Sequence, residues 1–88
     1  MHYAYILLLA NKDLYKGSTD NLKRRITEHS QGKVESTRKY LPIKLVHYEA
    51  YSMKEDAERR EKFLKTTEGR RLLKQQIKEV LKKLNIGE

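Results

Sequence analysis

Tyr5, Tyr15, Arg25, His29 and Glu61 carry side chains that suit phosphate chemistry. A phenol can orient a water molecule, and can take its proton where a nearby cation lowers the phenol pKa. An arginine held against a core needs an anionic partner, and a phosphate is a natural one. A carboxylate on an inward helix face is expensive unless it is paired or bound to a metal. As a hard oxygen ligand it suits Mg²⁺, with most of the coordination left to water and phosphate. Phosphodiester hydrolysis needs an attacking water, a cation for the growing charge and help for the leaving oxygen. Each residue also has a plainer reading. The tyrosines can be ordinary strand aromatics, Arg25 can close on a structural carboxylate such as Glu61, and His29 can simply pack at the core edge.

The elements that must position these residues follow from the hydrophobic pattern. Tyr3 to Leu9 is a nearly continuous apolar run, which predicts an interior strand. Asn11-Lys12-Asp13 is a polar turn, and Leu14 to Gly17 is the return arm of a hairpin. So short a turn requires antiparallel pairing and allows Tyr5 and Tyr15 to sit across the ladder. Gly17 is expected to let the chain turn tightly, and Asp20 to cap a helix from Asn21 to about Ser30. On that helix Leu22 and Ile26 mark the buried side, with Arg25 and His29 on the same half. Lys23, Arg24 and Glu28 point the other way.

Gly32 is a plausible C-terminal cap, and Lys33 to Tyr40 is a polar, basic loop with room for one helical turn. Lys33, Arg38, Lys39 and Tyr40 interleave charge with an aromatic ring, which suits a phosphate backbone and a stacked base; a solvated loop is the alternative. Leu41-Pro42 gives an extended approach to a third strand, Ile43 to Tyr51. His47 on that strand reads as a packed or surface histidine and not as a metal ligand. Ser52-Met53-Lys54-Glu55 reads as a capping box opening a helix to about Lys65. Its expected stripe is Met53, Ala57 and Leu64, with Glu61 inside it. Thr66-Thr67 can cap a last helix whose stripe is Leu73, Ile77, Val80 and Leu84. The order of elements predicts an α+β fold, a three-stranded antiparallel sheet flanked by about three helices, near 20–30, 53–65 and 67–84.

Tyr3-Ala4-Tyr5, Tyr15-Lys16-Gly17 and the run Asn21-Leu22-x-x-Arg25-x-x-x-His29 resemble the GIY-YIG nuclease family. Tyr3, Ala4 and Lys16 stand where the family has Gly, Ile and Ile. The resemblance covers about residues 3 to 65, and the chain is similar to the N-terminal nuclease domain found in bacterial nucleotide-excision-repair endonucleases. It implies a metal-dependent endonuclease acting on nucleic acid, DNA rather than RNA, in repair or recombination. It also implies Tyr5 as base, Tyr15 and His29 supporting the water and the proton path, and Arg25 on the phosphate. The family's metal-holding glutamate follows a small residue by four on the helix after the third strand, which matches Ala57 and Glu61. One Mg²⁺ or Mn²⁺ is therefore expected at Glu61. Lys16, Arg24, Lys33, Arg38 and Lys39 are the expected backbone contacts. The family's later asparagine has no counterpart, since Leu73 is near its place and Asn85 is too late.

The chain has 88 residues and reads as a single domain, 1–88, with a core over about 3–65 and a C-terminal helix near 67–84. It has no cysteine, so neither a disulfide nor a thiolate metal site can hold it together. Twenty Lys and Arg against twelve Asp and Glu give a formal net charge of +8, which suits a polyanionic partner. No apolar run approaches the length of a bilayer crossing, and the apolar start lacks the pattern of a signal peptide. The expectation is a cytoplasmic monomer or weak dimer without membrane contact, either structure-selective, weakly selective, or directed to its target by a recruiting protein. Two alternatives are a non-catalytic nucleic-acid-binding module of the same fold, and a basic interaction protein acting through its last helix.

Overall fold

The computed structural model describes residues 1–85. Its strands are β1 (His2–Leu8), β2 (Leu14–Thr19) and β3 (Lys44–Tyr51), joined in the order β2-β1-β3 with antiparallel pairing throughout. β1 lies in the middle, and Ala4, Tyr5, Ile6 and Leu7 are all buried because both sheet faces are covered. Alternation along β1 sends Tyr5 and Leu7 to one face and Ile6 to the other. The first face packs with Leu9 under Leu22 and Ile26 of α1 (Leu22–Ser30). The second packs against α2 (Lys54–Leu64), α3 (Thr67–Gln76) and α4 (Lys78–Lys83) through Leu64, Leu73, Ile77 and Leu81. No helix of the described residues is long and apolar enough to cross a membrane.

Local sequence explains most of the boundaries. The hydroxyl of Thr19 accepts from the Asn21 amide at 3.1 Å and ends β2. Asn21, not Asp20, then caps α1, its side chain accepting from the Arg24 amide at 3.0 Å. Asp20 is left to take the Arg24 guanidinium instead. Gly32 follows α1 with φ +74, the left-handed conformation that glycine adopts without penalty. The expected capping box at α2 does not form. Met53 is the N-cap without a side-chain bond, and it is exposed, so it is no part of the buried stripe. Glu55 and Asp56 meet the helix dipole in the first turn in its place.

The last helix is two helices, broken at Ile77, whose φ of −106° and ψ of 30° leave the helical region. Its buried apolar side chains are Leu73, Ile77 and Leu81, while Val80 is exposed. Steps of four drift by about 40° each around a straight helix. The break at Ile77 turns Leu81 back onto the core. At the other end, the Thr66 hydroxyl accepts from the Gly69 amide at 3.0 Å and caps α3. A side chain on Gly69 would run into the carbonyl of Phe63 and the backbone of Leu64. The first turn of α3 thus rests directly on the last turn of α2.

Glu49 ties β3 to α2. It accepts from Tyr51 at 2.6 Å and from Arg60 at 2.9 and 3.3 Å, and His47 lies 3.0 Å away. Burial alone would raise its pKa, but the bonds from Tyr51, His47 and Arg60 outweigh it and bring the carboxyl down to about 2. The folded pKa is below the unfolded one, so this stabilisation is complete above the ordinary carboxylate pKa. It is lost as pH falls from there through about 2. The expected loss is on the order of 2–3 kcal/mol. Urea unfolding at pH 5 and pH 2.5 should therefore show a smaller acid penalty in Glu49→Gln than in wild type. Identical acid dependence would mean that Glu49 is not the group responsible.

Candidate active site

Tyr5 on β1 stands opposite Gly17 on β2, and Tyr15 stands opposite Leu7. The two tyrosines are therefore diagonal neighbours on one face and not directly opposed, because the hairpin closes with Leu8 opposite Leu14. Their ring centroids are 6.4 Å apart. Gly17 has a different job from the expected tight turn. A Cβ there would lie 2.5 Å from both Cζ and the hydroxyl oxygen of Tyr5. The missing side chain is the space that the Tyr5 phenol occupies.

α1 lays Arg25 and His29 over this face. His29 is fully buried, with Nε2 2.9 Å from the Tyr5 hydroxyl and Nδ1 2.8 Å from Thr37 Oγ1. Thr37 is equally buried, and its hydroxyl reaches the Val34 carbonyl at 3.5 Å. Donating there, Thr37 accepts from Nδ1–H, which leaves Nε2 to accept from the Tyr5 O–H. Burial pushes the Tyr5 pKa up to about 12, against the pull of Arg25 and with further upward pressure from Tyr15 and Glu61. Burial, then the charge of Arg25, lowers the His29 pKa. Both groups are thus neutral near pH 7, as this chain of bonds requires. Tyr15 closes the cluster, its ring 5.2 Å from that of His29. Tyr5 is 1% exposed, whereas Tyr15 is half-buried, with Ser36 Oγ 3.5 Å from its hydroxyl.

The adjacent arginines separate as the helix phase predicts. Arg24 is exposed and bonded to Asp20 at 3.0 Å. Arg25 is half-buried and acts on Tyr5, but its bonded carboxylate is Glu28, at 3.0 Å. Glu28, expected on the outer side, turns inward far enough to meet it. Glu61 does not pair with Arg25. It takes the Lys65 ammonium at 2.8 Å, its side chain 20% exposed and its charge felt at Tyr5. Lys33, Arg38 and Lys39 are exposed on the loop after α1, where Arg38–Tyr40 forms one 3₁₀ turn. Lys16 leaves β2 on the opposite face from Tyr15 and is half-buried there.

Two features escape sequence reading. Thr37 sits in a loop that reads as solvated, and only its spacing of three from Val34, also buried, hints at an inward turn. Arg70 and Lys74 of α3 come together with Lys16, which only the docking of α3 on the sheet can reveal. Among the described residues no three His, Cys, Asp or Glu side chains gather as a metal cage. Glu61 nonetheless fits a Mg²⁺ that keeps most of its water, being a single hard carboxylate whose present partner is a half-exposed lysine.

A family model described as the GIY-YIG catalytic domain matches residues 1–76, which include every residue of this cluster. A UPF0213 protein from Natronomonas pharaonis is 41% identical over 66 residues, covering 74% of this chain and 78% of that one. A UPF0213 protein from Staphylococcus haemolyticus is 39% identical over 74 residues, covering 83% and 90% respectively. The solution NMR structure of a UPF0213 protein from Bacillus halodurans superposes with a TM-score of 0.53 at 36% identity, covering 82% of this chain and 80% of that one. With the catalytic-domain model spanning Tyr5, Tyr15, Arg25, His29 and Glu61, the chain belongs to the GIY-YIG family.

Proposed function

We propose that this protein is a metal-dependent endonuclease that hydrolyses phosphodiester bonds in DNA. The observation that carries the reading is the convergence of Tyr5, Tyr15 and His29 under Arg25, with Glu61 near enough for its charge to act on Tyr5. The two tyrosines take different roles from those the resemblance implies. Tyr5 is buried and its hydroxyl donates to His29, so it cannot touch a bulk-derived water without leaving that bond. Tyr15 is the phenol that faces outward, and it orients the attacking water, whose proton passes to bulk solvent. Tyr5 and His29 hold the Tyr15 ring in place. Arg25 exchanges Glu28 for the non-bridging oxygens of the phosphate and gains most as their charge grows. Glu61 would hold one Mg²⁺ or Mn²⁺ in exchange for Lys65. When bound, that ion stabilises charge on the phosphate and the leaving oxygen. Lys33, Arg38 and Lys39 contact the backbone, and target choice comes from DNA structure or from a recruiting protein.

The test is a cleavage assay with Mg²⁺ or Mn²⁺ on single-stranded, duplex, flapped and branched DNA, with RNA counterparts. Wild type should cut at least one DNA substrate, and Glu61→Ala should abolish cutting while leaving the domain folded and able to bind. Binding without cleavage of any substrate by the wild type would replace this reading with the non-catalytic module.

A further inference from the structure

The hairpin turn and α3 enclose a cleft of about 590 Å³ on the sheet face opposite Tyr15. Its walls carry Lys12, Lys16, Arg70 and Lys74, and its floor is formed by Leu14 and Leu73. One acid, Asp13, lies at the rim and is bonded to Asn11 at 3.1 Å. Among the described residues none of these four cations has a carboxylate within 4.0 Å, whereas Arg24, Arg25, Arg60, Lys65 and Arg71 each have at least one. Lys16 is half-buried, and its pKa is lowered by burial and then by the charges of Arg70 and Lys74, which the charge of Asp13 offsets only in part. A fold that gathers like charges in a cleft bears their repulsion until an anion relieves it.

The position of the cleft says which anion. Lys16 lies between Tyr15 and Gly17, so it and the candidate site share one strand, and β2 is an edge of the sheet. Lys65, which holds Glu61, is also close enough for its charge to act on Lys16. The basic loop with Lys33, Arg38 and Lys39 lies on the other face, where Ser36 neighbours Tyr15. Positive charge therefore flanks the site on both sides of the edge strand.

We propose that Lys12, Lys16, Arg70 and Lys74 bind the phosphate backbone of the nucleic-acid strand beyond the site of attack, so that the strand crosses over the edge of the sheet at β2. This rests on nucleic acid being the substrate, but not on its being cut. A small anion would need only one or two of these groups. Four cations on two elements, spread along an open cleft, match a chain of phosphates.

The test uses a flapped DNA duplex in EDTA. Lysine acetylation read by mass spectrometry should show Lys16 and Lys74 protected severalfold by the DNA, with Lys44 and Lys78 still reactive. Inorganic phosphate at the same phosphate concentration should protect neither. The variant Lys16→Gln/Arg70→Gln/Lys74→Gln should have a log affinity versus log salt slope shallower by about 2–3, near 0.9 for each phosphate no longer neutralised. Lys44→Gln/Lys78→Gln/Lys82→Gln removes the same charge elsewhere and should keep the wild-type slope. Equal slopes in the two triple variants, unprotected Lys16 and Lys74 with DNA bound, or equal protection by free phosphate would each overturn the proposal. Wild-type binding without cleavage would remove the nuclease reading and leave the cleft standing. Cleavage with an unchanged slope in the cleft variant would do the reverse.

Discussion

Arg25→Ala is expected to lower the cleavage rate by about 10³-fold with only a modest loss of DNA binding. Its neighbour gives the contrast. Arg24→Ala should leave cleavage within a fewfold of wild type and weaken binding slightly, in a salt-sensitive way. The difference rests on helix phase, since adjacent residues point about 100° apart. Arg24 is 57% exposed and held by Asp20, and its charge is spent in solvent. Arg25 is 36% exposed, leans on Tyr5 and is one exchange of partner away from a phosphate. An interaction made chiefly with the transition state lowers the rate more than the affinity when removed. Single-turnover cleavage and equilibrium binding, measured on both variants, separate the two. Equal effects would mean that the arginines share one role and that the proposed site is wrong.

The second large effect is expected at a residue with no side chain. Gly17→Ala places a methyl group 2.5 Å from the Tyr5 ring and hydroxyl. Tyr5 is 1% exposed and bonded to His29, so it can retreat only by giving up that bond. Overpacking of this kind costs about 1–3 kcal/mol, and the displaced ring also disturbs Tyr15 and His29. Cleavage should fall by about 10²-fold, through misplaced groups. Removing the hydroxyl in Gly17→Ala/Tyr5→Phe relieves part of the clash. The double variant should then be more stable relative to Tyr5→Phe than the single is relative to wild type. Cleavage should stay low in both. Urea unfolding of the four proteins gives the coupling. A Gly17→Ala protein as stable as wild type would show that Tyr5 does not need the space.

Much of this arrangement is legible in the chain because periodicity is local. The apolar run to Leu9, the short hairpin and the 3.6-residue phase of α1 place Tyr5, Tyr15, Arg25 and His29 on one face. The parts that are not legible depend on residues far apart in sequence. That Gly17 faces Tyr5 follows from the hairpin register, which a polar turn does not specify to one residue. Asn21 outcompetes Asp20 as a cap because Thr19 captures its amide, and both side chains are good caps in isolation. The break at Ile77 comes from the core beneath it, with no proline or glycine to announce it. Thr37 is polar, stands among Ser36, Arg38 and Lys39, and is buried only because His29 awaits it.

The seat of Gly69 on Phe63 and Leu64 makes a caliper of α2 and α3. Backbone rests on backbone there, so neither helix can slide along the other without a collision. Glu61 stands on one arm, two residues before Phe63, and Arg70 on the other, directly after Gly69. On the proposed path, one phosphate would meet a metal ion held by Glu61 and a later one would meet Arg70. The backbone spacing between the two positions is thus fixed by the helix pair. Nucleic-acid backbones that space their phosphates differently, in A-form and B-form or paired and unpaired strands, would then meet the two arms to different extents.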